Sequence, residues 1–243
     1  MEIKIFNDAK ELGRAAARKA AGIINDNIRE KGFARIVLST GASQFTFFEE
    51  FVKQDIDFSK VEMFHLDEYI GIGEEHPASF CRYLKERFAS KVTLKKAYFI
   101  DGTKDPREVI KQVSEELLKA PVCLGLIGIG ENAHIAFNDP PADFEDEACY
   151  KIVNLDEKCK RQQVGEGWFK SVDDVCKQAI TMTCKQIMKC ENIISVVPYK
   201  VKAEAVKATI ENELTPDVPA TLLKTAKSFT LMLDKDSAAL IKA

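Results

Sequence analysis

VCLGLIGIGENAHIAFNDPP, residues 122–141, decides the fold. Its first half is a short apolar run broken only by glycines, which reads as a strand buried on both faces. The second half turns on Gly128 and Gly130, then places Asn132, His134 and Asp139 within eight positions. The chain has three histidines, and one of them stands here, directly after its most apolar strand. Strands buried on both faces belong to parallel sheets covered by helices, and such sheets bind ligands beyond the carboxyl ends of their strands.

Outward from this stretch, short apolar runs alternate with longer amphipathic ones. Strands are predicted at 3–6 (IKIF), 35–40 (RIVLST), 61–69 (VEMFHLDEY), 97–100 (AYFI), 149–155 (CYKIVNL), 193–198 (IISVVP) and 229–233 (FTLML). Helices are predicted at 8–30, from 45 onward, at 76–88 with Pro77 near the first turn, at 106–120, at 200–213 and in the terminal DSAALIKA. The alternation specifies an α/β fold: a mainly parallel sheet with helices on both faces, joined by right-handed crossovers. There is no internal repeat, low-complexity segment or Gly/Ser linker, so residues 1–243 read as a single domain. The least regular part, around 140–170, is the place for a lid.

Bulk properties narrow the function. With 35 basic against 38 acidic residues the net charge is −3, too little positive field to gather nucleic acid. Seven cysteines, an odd number without CxxC spacing, predict reduced core thiols and no disulfide framework or zinc site. The charged start MEIKIFNDAKELG lacks the apolar core of a secretory signal, and no apolar run approaches the ~20 residues of a membrane span. The expectation is a cytoplasmic protein with no membrane partner.

In a parallel sheet, four segments would converge on one edge. Thr40, Gly41, Ala42 and Ser43 follow the second strand with hydroxyls and free amides ahead of a helix. That suits a phosphate, although small residues also serve a plain strand-to-helix turn. Asp67 and Glu68 follow an apolar strand; adjacent residues of a strand point to opposite faces, so one at most enters the cleft. A carboxylate in a partly dry cleft has a raised pKa and can act as a base. His134 can relay a proton, with Asp139 to orient or charge its ring; a structural histidine is the bland reading. His65 and His76 read as packed and as near a helix start. Lys200, at a helix start, is badly placed for the helix dipole unless it meets an anion.

HLDEYIG, HPASF and GIGENAHIAFNDP, in this order and spacing, resemble the glucosamine-6-phosphate deaminase/isomerase family, from RIVLSTGAS to the last strand. The resemblance implies a modified Rossmann-like fold without metal or organic cofactor. It implies isomerisation of an aldose to a ketose with hydrolytic loss of ammonia, from glucosamine 6-phosphate to fructose 6-phosphate. By residue match, Asp67 takes the C2 proton and His134 assists ring opening. Residues 40–43 and Lys200 match the phosphate-binding positions.

Departures from the family pattern are specific. Asn132 stands where an acid is usual; it can still hydrogen-bond the imidazole but cannot stabilise its charge. Asp139 replaces a glutamate, Ala42 a glycine, and Gln163 an arginine, for which Arg161 is a candidate replacement. The basic residues of the hexameric members' activator site are not evident, with Ala148 and Tyr150 in that region, so that regulation is not expected. These changes leave open another amino-sugar phosphate, or a plain hexose phosphate that is only isomerised. The alternatives are a 6-phosphogluconolactonase-type hydrolase and a non-catalytic sugar-phosphate sensor. A homo-oligomer is compatible with the reading, and the oligomeric state is not fixed by it.

Overall fold

The computed structural model describes residues 1–155, 157–165 and 167–241. Its strands are β1 (Glu2–Phe6), β2 (Ala34–Leu38), β3 (Val61–His65), β4 (Asp67–Tyr69), β5 (Lys96–Tyr98), β6 (Leu124–Leu126), β7 (Tyr150–Asn154), β8 (Gln178–Met182), β9 (Asn192–Val197) and β10 (Phe229–Asp234). Its helices are α1 (Ala9–Lys31), α2 (Phe45–Phe51), α3 (Phe80–Leu84), α4 (Pro106–Leu117), α5 (Glu157–Gly165), α6 (Cys184–Ile187) and α7 (Ala203–Glu211).

Among the described residues, seven strands form one parallel sheet in the order β1-β10-β9-β6-β2-β3-β5. The α/β architecture predicted from the alternation is therefore the one observed. Alternate residues feed two cores, as the two-residue period of a strand requires. Ile36, Leu38, Ile194, Val196 and Met232 pack on one face with α1 and α2, while Val37, Ile193, Val197, Leu231 and Leu233 pack on the other with α4 and α7. Phe47, Phe48, Phe51, Phe58 and Phe88 stack on the first face, and each fully buried ring contributes roughly 2–3 kcal/mol of transfer free energy.

Local signals end the helices where the chain must turn. Asp8 accepts from the amides of Lys10 and Glu11 at the start of α1, and Gly32, at φ 80°, closes its end. Asp105 caps α4 with Pro106 in its first turn. From β2 the chain winds outward through β3 and β5, then crosses back to β6 on the other side of β2. The winding reverses between β2 and β6, which opens a crevice at their carboxyl ends.

A second, antiparallel sheet of order β4-β8-β7 was not foreseen. VEMFHLDEY is not one strand. It breaks at Leu66, whose carbonyl accepts from Met182 N, and residues 67–69 pair with β8. β7 is the outer strand expected near 150, while β8 has Gln178 and Thr181 among its apolar residues and gave no strand signal. The region 140–170 thus holds the strand β7 and the helix α5. Where a terminal helix was predicted, residues 235–240 form turns, with Ser237 bonded to Asp234; residues 242–243 of that stretch lie outside the described residues. The third predicted helix begins at Phe80, three residues beyond Pro77, capped by Ser79.

Candidate active site

A cavity of about 180 Å³ opens at the β2–β6 switch point. Its floor is the turn after β2. Gly41 has φ 104°, a backbone only glycine adopts without strain. Its carbonyl accepts from Tyr83 Oη at 2.7 Å and from Gln44 N at 3.0 Å. Gln44 Nε2 donates to Ser43 Oγ and to the Val196 carbonyl, tying the turn to β9. Ser43 accepts that bond and keeps its own proton to donate. Ser39 Oγ, buried on the same wall, has no hydrogen-bond partner among the described residues. Thr40, Gly41, Ala42 and Ser43 all line the cavity, and Ala42 has no left-handed backbone to strain it.

Asp67 and Glu68 divide as the strand geometry requires. Asp67 lines the cavity at 6 % exposure. Burial pushes its carboxyl up to about 8, with the Glu68 charge adding to the rise. Glu68 faces the other way. Its Oε1 accepts from the amides of Tyr69 and Phe80, and its Oε2 from Cys81 N and Ser79 Oγ. Burial still raises it to about 7, against the pull of those donors. Glu68 therefore pins the start of α3 to β4, and Phe80 of that helix lines the cavity.

His134 stands on a tight loop. Ala133 and Ala136 have φ 63° and 52°, and Gly130 N donates to the His134 carbonyl at 2.9 Å. The imidazole lies flat over Gly130, where a Cβ would meet ring atoms at 2.2–2.5 Å. Buried Asn138 holds the loop through the Ile135 and Met182 carbonyls. His134 Nδ1 is 3.1 Å from Asp139 Oδ1, an ion-pair contact off hydrogen-bond geometry. Asn132 does not reach the imidazole, contrary to its expected contact. It donates to Asp139 Oδ1 at 3.1 Å and accepts from the His134 amide at 3.2 Å. Asn132 and Asp139 thus lie behind the histidine and off the cavity wall.

The lysine assignment is corrected. Lys200 is exposed and off the cavity, whereas Lys202 is buried and lines it. The residues 200–202 form a 3₁₀ turn, and its tightness swings position 202, not 200, toward the sheet edge. Gln163 lines the cavity, and its Oε1 accepts from Tyr69 Oη at 2.6 Å. Arg161 is exposed and off the cavity, so it does not replace the arginine expected at 163. Glu131, Trp168 and Tyr199 also line the cavity and were not singled out. His65 is fully buried, and burial drops its pKa to about 3; His76 accepts from Ala78 N ahead of α3. His65 is a packed histidine and His76 stands just ahead of a helix start, as read.

No described helix is long and apolar enough to cross a membrane. The sequence profile of the glucosamine-6-phosphate isomerases/6-phosphogluconolactonase family matches residues 7–232. A glucosamine-6-phosphate deaminase of Thermoanaerobacter sp. (strain X514) is 36% identical over 233 residues, covering 93% of this chain and 90% of its own. Another, from Lactobacillus delbrueckii subsp. bulgaricus, is 32% identical over 243 residues, the whole of both chains. A monomeric glucosamine-6-phosphate deaminase structure superposes with a TM-score of 0.88 at 27% identity, covering 99% of this chain and 100% of that one. The 6-phosphogluconolactonase of Trypanosoma brucei superposes at 0.82, covering 99% of this chain and 98% of its own; at 14% identity that likeness is one of fold alone.

Proposed function

The chain belongs to the glucosamine-6-phosphate isomerase/6-phosphogluconolactonase family, and from that premise we propose that it converts glucosamine 6-phosphate and water to fructose 6-phosphate and ammonia. The observation that carries the reading is one cavity lined by an anion-suited turn, a lysine, an imidazole and a buried carboxyl. Residues 39–43 and Lys202 hold the phosphate through hydroxyls, amides and charge. That grip places C1 and C2 beside Asp67 and turns binding energy into orientation.

His134, with Asp139 behind it, moves the proton that opens the pyranose ring. Asp67 then takes the C2 proton, giving an enolamine, and a proton is returned to C1. The product is an imine at C2; water adds there and ammonia leaves, which closes the atom balance. A carboxylate held near 8 is a strong base once ionised, and the substrate's own ammonium group favours that ionised form. Gln163 and Trp168 line the cavity, which supports a lid within the region around 140–170.

The deaminase reading is favoured over lactone hydrolysis by the relatives at 31–36% identity that carry the deaminase name. The test incubates the protein with glucosamine 6-phosphate in deuterated buffer, reading ammonia and deuterium at carbon separately. Both should appear. Exchange without ammonia would make it a simple isomerase. Acid release from 6-phosphogluconolactone, with neither other signal, would make it a lactonase, and phosphate-ester binding without any turnover would make it a sensor.

A further inference from the structure

Tyr199 is a strained residue on the wall of the cavity. It stands two residues past β9, after Pro198, with φ 78° and ψ 144°, in a region L residues rarely adopt. Such a backbone costs a non-glycine residue on the order of 1–3 kcal/mol, and persists mainly where the surroundings enforce it and the site uses it. The surroundings do enforce it. Tyr199 N donates to both carboxylate oxygens of buried Asp234, at 3.1 and 3.0 Å. Asp234 is fixed in turn by the Ser237 amide, and the Tyr199 carbonyl accepts from Lys202 N at 3.0 Å.

Those bonds involve only the backbone of residue 199, so glycine would satisfy all of them without strain. What a glycine would lack is the side chain. Tyr199 lines the same cavity as residues 40–43 and Lys202, and the residue is 38% exposed, so its ring is not there to fill the core. Partial burial and the charges of Asp234 and Glu49 raise the phenol's pKa, which keeps its proton in place. Among the described residues, no hydrogen-bond partner takes that proton. A protonated phenol at an anion-suited wall is a donor awaiting an acceptor.

We propose that Tyr199 is a substrate-binding residue whose hydroxyl donates to the phosphate of the sugar phosphate and whose ring walls that phosphate from solvent. The assignment rests on the sugar-phosphate reading of the cavity. It adds a contact to the phosphate end that the sequence match to residues 40–43 and a lysine did not include.

The test compares Tyr199→Gly, Tyr199→Phe and the unmodified chain by thermal melting, by steady-state kinetics on glucosamine 6-phosphate, and by calorimetric binding of inorganic phosphate. For Tyr199→Gly the melting temperature should hold or rise, because glycine relieves the backbone. Its KM and its phosphate Kd should both rise roughly tenfold or more, the loss of one charge-assisted hydrogen bond, with kcat changing less than KM. Tyr199→Phe should lose much of the same affinity. Unchanged KM and phosphate Kd in the glycine variant would overturn the proposal, as would a fall of several degrees in melting temperature, which marks a packing role. Full affinity in Tyr199→Phe would overturn the hydroxyl contact. If the unmodified chain releases no ammonia, the deaminase reading fails, and the phosphate Kd values still decide Tyr199.

Discussion

Asp67→Asn should make the protein more stable and inactive, and the stability gain should grow with pH. Burial lifts the Asp67 carboxyl from 3.8 to about 8. The folded chain therefore holds a proton there that the unfolded chain releases above about pH 4. A raised carboxyl favours the fold at low pH, and that favour is lost as the solution passes from the unfolded pKa up through the folded one. At pH 7 the gap is about 3.2 units, which at 1.36 kcal/mol per unit costs the folded state on the order of 4 kcal/mol. At pH 5 the gap is only about one unit, so the cost falls to roughly 1–2 kcal/mol. Asparagine has the same shape and never ionises, so it removes the penalty at every pH. For a chain of this size, about 4 kcal/mol corresponds to roughly 10 °C of melting temperature. The assay is a thermal melt of both proteins at pH 5, 7 and 9, alongside deuterium exchange at C2. Exchange should fall by roughly 10²–10⁴-fold, the usual worth of a general base. Phosphate binding should persist. A melting-temperature difference that does not vary between pH 5 and 9 would refute the buried-carboxyl argument. Retained turnover would refute the assignment of the base.

The other substitutions probe the geometry around it. Lys202→Ala should raise KM for glucosamine 6-phosphate by roughly tenfold or more, through loss of a charged hydrogen bond, while Lys200→Ala leaves KM within about twofold; the reverse ranking would restore the sequence-based assignment. Glu68→Gln keeps the shape but turns an NH₂ toward an N–H that cannot reverse. It should cost about 1–3 kcal/mol in denaturant unfolding, and no loss would mean that the Cys81 amide is not held there. Gly130→Ala puts a Cβ against the His134 ring, so kcat should drop with little change in far-ultraviolet dichroism, and normal kinetics would show the ring elsewhere. His134→Gln should slow ring opening, so open-chain analogues should lose less rate than the cyclic sugar; equal losses would remove ring opening from its role.

The sheet was legible because its strands are pure. RIVLS and IISVV are buried at every residue, on both faces, and the caps at Asp8 and Asp105 stand beside the helices they start. The lysine was not legible, because KVK offers two candidates two residues apart. Only the 3₁₀ turn, which no residue type in that run announces, selects Lys202. Asn132 was misread for a similar reason. Its spacing from His134 suggested a contact with the ring, but Ala133 at φ 63° folds the chain back so that the asparagine meets the amide and Asp139. Tyr199 gave no signal at all, since a left-handed tyrosine is an exception to the propensities by which turns are read.

The second sheet bears most directly on chemistry. Had VEMFHLDEY run on as one strand of the parallel sheet, Asp67 would have ended that strand beside β2, in a position open to the crevice. By breaking at Leu66 and pairing with β8, the chain carries residues 67–69 into a separate, closed layer. There Asp67 reaches the cavity from a buried strand, and Glu68 on the opposite face is taken up by the start of α3. The same pairing sets both properties a base at a carbon acid needs: a fixed position and a dry surrounding that raises its basicity. Tyr69, next in the strand, donates to Gln163 on the cavity wall, so β4 also anchors α5. The three-residue strand thus ties Asp67, Gln163 and α3 together, and a shift of its register by one residue would exchange Asp67 with Glu68 and remove from the cavity the carboxyl proposed as its base.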